Sequence, residues 1–266
     1  MPQLPRVAVL GADLTGAVGL AALIDGGIDA VYVGSPTPAA GALLAERSLA
    51  SRRVGGRDDD LGEPAPRTPE DEATAGVLPV VSRVGTRDEP GRGFEISVDG
   101  RSLGSWDAVV VTGSTVAAVA TVIGVDVPWY GGVFHPRADG VYLVGSLGGT
   151  GAALTEPAGA PTRRAAEDDE TPGPDPGRQL AWAQASWVGE HLRGRYLLPA
   201  YQAMLDHPGL RRVGLRRRGL GGYRRALDRE LRAGRARAAA AGYPLPLPAA
   251  AAAAAARARA RGQASP

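Results

Sequence analysis

The chain has no cysteine, which excludes disulfides, thiolate nucleophiles, iron–sulfur clusters and cysteine-based zinc sites. Lysine is absent too. All 30 basic residues are arginine and alanine is abundant, a composition that reads first as coding bias and weakens any argument from arginine content to anion recognition. Only three histidines occur, and His135, His191 and His207 lack the spacing of a metal motif, so no metal is expected. The first ten residues lack the basic and apolar regions of a secretory signal, and no run of eighteen apolar residues lies outside low-complexity sequence. The expected location is the cytoplasm, with no membrane partner.

What is present suffices for a core. At 266 residues and 44% hydrophobic side chains, the chain fits roughly one to two domains. Its 38 glycines and 22 prolines imply much irregular chain as well. Residues 6–10 read as a strand, 14–26 as a helix ending at Gly26-Gly27, and 28–33 as a second strand, the beginning of a βαβ unit. Residues 37–50 suit a short helix. From residue 77 the pattern turns to strands, with Asp99-Gly100 as a hairpin signal, and leads into a fully buried strand in DAVVVTGS. A further strand at 140–146 runs into GSLGGTGAAL, again resembling a strand that leads to a helix N-terminus.

Two polar stretches divide the chain. Residues 1–50 read as the first part of one domain, 51–76 as a flexible linker, 77–160 as the second part and 161–177 as a polar linker. A helical extension follows over 178–242, and 243–266 is a low-complexity tail. Within 179–194, Leu180, Ala183, Trp187, Val188, His191 and Leu192 fall at helical spacing, one apolar face for docking onto the sheet. The tryptophans at 106, 129, 182 and 187 read as packing residues. No Ser/His/Asp arrangement is present to assign.

The stretch RVAVLGADLTGAVGL carries the clearest motif. In a G-x-G-x-x-G loop the first glycine makes the tight turn, the second admits the pyrophosphate and the third lets the helix pack close to the strand. Gly11 and Gly16 hold the first and third places, but Asp13 stands in the second. A carboxylate there opposes a pyrophosphate by about 1 kcal/mol in water-like surroundings and about 4 kcal/mol at an effective dielectric near 20. Asp13 also suits a helix N-cap, contributing about 1 kcal/mol. The acid expected at the close of the second strand is missing, because Gly34 occupies that position.

Taken in order along the chain, several segments resemble the flavin-containing monooxygenase family of FAD-dependent oxidoreductases. VAVLGADLTGAVGLAAL resembles its FAD fingerprint. GFEISVDGRSLGSWDAVVVTGS resembles its meander and the strand ending in an A-T-G turn, with Val111 for alanine and Thr112 and Gly113 retained. GGVFHPRADGVYLVGSLGGTGA resembles the strand and loop that return to the flavin, with Gly145 matching. WAQASWVGEHLRGRYLLPAYQAM resembles the next helix, through Gln184, Ala185 and Trp187 and the turn from Gly194 to Pro199. The inserted NADPH domain of that family is absent, its place taken by VAAVATVIGVDVPW.

The resemblance implies an α/β, FAD-type Rossmann fold, a mainly parallel sheet with a β-meander and a C-terminal helical extension. It implies FAD at Gly11, Ala12, Asp13, Thr15, Gly16, Thr112, Gly113, Gly145, Ser146, Leu147 and Gly148. NADPH is implied by family resemblance only, and a reductase partner would stand in for its missing domain. Two functions remain open: an FAD-binding oxidoreductase or monooxygenase acting on an unidentified small molecule, whose chemistry would belong to the cofactor, or a catalytically inactive Rossmann-fold binding or interaction module. The arginines of 211–237 pose a third reading, a nucleic-acid or acidic-partner surface, against which the overall charge of +2 and the few aromatics favour a solvated basic helix.

Overall fold

The computed structural model describes residues 4–54, 79–85, 90–124, 128–146, 175–210 and 219–242. β1 (Arg6–Leu10), α1 (Leu14–Asp25) and β2 (Asp29–Val33) form the expected opening unit. α2 (Pro38–Glu46) follows, with proline in its first turn and the Thr37 hydroxyl accepting from the Ala40 amide. It ends earlier than its apolar pattern suggests, because Ser48 takes a positive φ of 55° and turns the chain.

The chain then forms β3 (Arg53–Val54), parallel to β2 and inside the stretch read as a connector. A two-residue strand amid charge and glycine leaves no periodicity to read. The hydrogen-bonding register with β2 and an Arg52–Asp29 ion pair hold it. The remainder of that connector, most of the second one, the segment after Ser146 and the low-complexity tail lie outside the described residues.

β4 (Val80–Gly85), β5 (Pro90–Val98) and β6 (Arg101–Trp106) make an antiparallel three-stranded sheet. Asp99 and Gly100, at φ 52° and 74°, close the β5–β6 hairpin as their sequence signals. β7 (Ala108–Thr112) is buried at every position, which suits a strand covered on both faces. After a short 3-10 turn and α3 (Ala120–Ile123), β8 (Val141–Val144) completes a parallel sheet in the order β3-β2-β1-β7-β8.

β1, β2, β7 and β8 send alternate side chains to two cores. Val7, Val9, Ala30, Tyr32 and Val110 face the helices, while Ala8, Leu10, Val109, Val111 and Leu143 meet Phe94, Ile96 and Trp106 of the meander. The fold is thus Rossmann-like α/β with C-terminal helices: α4 (Pro176–Leu192), α5 (Tyr201–Asp206) and α6 (Gly219–Ala240). α4 lies against α1, burying Leu180, Ala181, Ala185, Trp187 and Val188. No helix among the described residues is long and apolar enough to cross a membrane.

Candidate functional site

In an open α/β sheet, the crevice for ligands lies beyond the carboxyl ends of the strands where the strand order reverses. Here that point falls between β1, which continues through β2 to β3 on one side, and β7, which neighbours β8 on the other. Gly11 and Gly16 meet beneath it. A Cβ on Gly11 would stand 3.0 Å from the Gly16 Cα, and one on Gly16 would stand 3.1 Å from the Gly11 Cα. The two outer glycines of the motif therefore keep their packing role, drawing the helix start onto the strand end.

Asp13 fills the mouth of the loop. It is the N-cap of α1 in extended conformation, and its Oδ1 accepts from the Gly16 amide at 3.0 Å. Its Oδ2 accepts from the Ser114 hydroxyl at 2.9 Å, across the reversal point from the end of β7. One carboxylate thus bridges the two strand ends that would flank a bound pyrophosphate. Ala12 is turned outward and its carbonyl accepts from the Thr37 amide at 2.7 Å, tying the loop to the start of α2.

A hydroxyl cluster supports Ser114. Thr112 and Thr115 are buried, and the Thr112 amide donates to the Thr115 Oγ1 at 3.0 Å. The Thr115 hydroxyl donates in turn to the Leu10 carbonyl at 2.8 Å, locking the β7 turn to β1. Thr112 and Ser114 hydroxyls lie 2.8 Å apart. Gly113 sits in this turn beside them.

The third arm is the loop after β8. Gly145 adopts φ 81° and lies against the Thr15 methyl, where a Cβ would collide. The buried Gln184 side chain reads the backbone of this loop: its Oε1 accepts from the Gly145 amide at 2.7 Å and its Nε2 donates to the Ser146 carbonyl at 2.7 Å. Nε2 also reaches the Tyr223 hydroxyl at 3.0 Å, and Tyr223 donates to the Gly131 carbonyl at 3.0 Å. α4 and α6 therefore hold the loop from behind.

Of the residues expected to line the site, Gly11, Ala12, Asp13, Thr15, Gly16, Thr112, Gly113, Gly145 and Ser146 come together at these strand ends. Leu147 and Gly148 lie outside the described residues. Sequence reasoning did not find Ser114 or Thr115 as partners of the loop, since the Asp13 contact spans 101 residues. Tyr32 was also missed. Its ring edge lies against Gly16, its hydroxyl is buried without a hydrogen-bond partner among the described residues, and burial first, then the Asp13 charge, raise its pKa while Arg53 opposes.

These residues do not fit the pyrophosphate of FAD. The cradle needs free amides and open space at the helix start, and here a carboxylate with both oxygens engaged stands in that space. Gly34 offers the ribose no carboxylate. No group of three His, Cys, Asp or Glu among the described residues could hold a metal. No family model, curated protein or solved structure matches the chain.

Proposed function

We propose that the chain is a catalytically inactive Rossmann-fold binding or interaction module of flavin-monooxygenase type, which has given up its cofactor. One observation carries this reading: Asp13 satisfies the α1 N-terminus internally and ties it to Ser114, doing with its own carboxylate what a phosphate does in a cofactor-binding loop. The missing carboxylate at Gly34 supports it.

A second reading is an FAD-binding oxidoreductase served by a separate reductase. The close approach of Gly11 to Gly16 and of Gly145 to Thr15 favours it, because both keep the loop compact as a dinucleotide site requires. The visible absorption of the purified protein, taken after incubation with excess FAD and gel filtration, separates the two. The interaction module stays colourless. Retained flavin absorbance at stoichiometric level overturns that reading in favour of the second.

A further inference from the structure

The charge of this protein is unevenly placed. Residues 211–237 hold eleven arginines and two acids, so that against an overall +2 the remaining chain carries a net −7. The described part of this segment, α6, divides its arginines into two kinds. Arg224, Arg235 and Arg237 hold the helix to the body, through Gln179 at 3.1 Å, Glu190 at 3.0 Å and the Leu197 carbonyl at 2.9 Å. Arg225, Arg229 and Arg232 are exposed and make no hydrogen bond or ion pair among the described residues.

Arg225, Arg229 and Arg232 fall at i, i+4 and i+7, one stripe of the helix, with rises of about 6 and about 4.5 Å between them. Asp228 is the one acid on this outer side, and Tyr223, Ala226, Leu227 and Ala238 are turned inward and buried. The stripe has no exposed aromatic or large apolar side chain to serve as the anchor of a protein interface. Its chemistry is that of a polar, strongly positive surface for a phosphate backbone.

We infer that the outer face of α6 binds nucleic acid through Arg225, Arg229 and Arg232, contacting phosphates without reading sequence. The inference goes beyond the proposed function and does not depend on whether the α1 loop holds FAD, which the flavin titration reports separately. With no base contacts, the interaction is general and strongly salt-dependent.

The test is fluorescence anisotropy of the full chain with a labelled 20-base-pair DNA duplex, from 50 to 200 mM salt. The triple variant Arg225→Gln, Arg229→Gln, Arg232→Gln should bind about ten-fold or more weakly at the lowest salt, and its log–log salt slope should be shallower by about 2.7, three phosphates' worth. Its thermal midpoint should match wild type, because the three side chains are exposed and make no hydrogen bond or ion pair among the described residues. Equal affinity and slope in the two proteins, or no binding of the duplex by wild type at 50 mM salt, overturns the inference. So does tighter binding to polyglutamate, or to vesicles with anionic lipid, than to the duplex.

Discussion

At Asp13 a single side chain meets two demands that a bound anion meets elsewhere: it accepts from a helix-terminal amide and reaches the facing strand end. Asp13→Gly removes the charge while leaving a residue acceptable at the N-cap, so stability should fall by only a few tenths of a kcal/mol. FAD affinity in equilibrium dialysis should rise by at least about five-fold, the equivalent of about 1 kcal/mol of relieved repulsion. Equal affinity in both proteins would sink the account of a self-closed loop. Gln184 poses the opposite case, a polar side chain whose contacts are all internal. Gln184→Leu removes the bonds to the Gly145 amide, the Ser146 carbonyl and the Tyr223 hydroxyl, which keeps its own bond to the Gly131 carbonyl, and should cost about 2–4 kcal/mol in urea unfolding. A loss below about 0.5 kcal/mol would mean that these groups find other partners. The sequence displayed both residues, yet not their partners. Ser114 is 101 positions from Asp13, and a glutamine within a helical pattern looks exposed until a loop descends on it.

Elements were legible where local chemistry decides them. The β5–β6 hairpin is such an element, because Asp99 and Gly100 supply the two positive φ angles its turn needs. Nothing lies within 4 Å of a Cβ built on Gly100, so Gly100→Ala tests backbone strain alone. It should destabilise by about 1 kcal/mol, read as a lowered denaturation midpoint, and an unchanged midpoint would show that the turn relaxes at no cost. β3 shows the converse. Arg53 and Val54 become a strand only because β2 presents an open edge, information that no window of their own sequence holds. The face of α4 was legible in outline, with Leu180, Trp187 and Val188 buried as their spacing indicates. Ala181, Gln184 and Ala185 widened it, since α4 packs against both α1 and the β8 loop.

At the scale of the whole molecule, a buried aromatic group joins the sheet to its helical extension. His191 lies edge-on to Phe134 at 5.3 Å and to Tyr142 at 6.0 Å, and burial lowers its pKa despite the Tyr196 carbonyl 3.3 Å away and the more distant Asp139 charge. The fold favours the neutral ring, whereas the unfolded chain takes up a proton near the ordinary value of 6.5. Its contribution is therefore complete above that pH and is lost as pH falls through the lowered value. Urea midpoints should drop between pH 8 and pH 5 more steeply for wild type than for His191→Gln, and parallel profiles would refute the assignment. The same sheet has a consequence in time. β1 pairs on one side with β2, close behind it, but on the other with β7, about a hundred residues further along. At ribosomal speeds of about 5–20 residues per second, that second edge waits about 5–20 s for its partner. During synthesis the central strand of the finished sheet is an edge strand, and the apolar side chains of Ala8 and Leu10 have no meander to cover them.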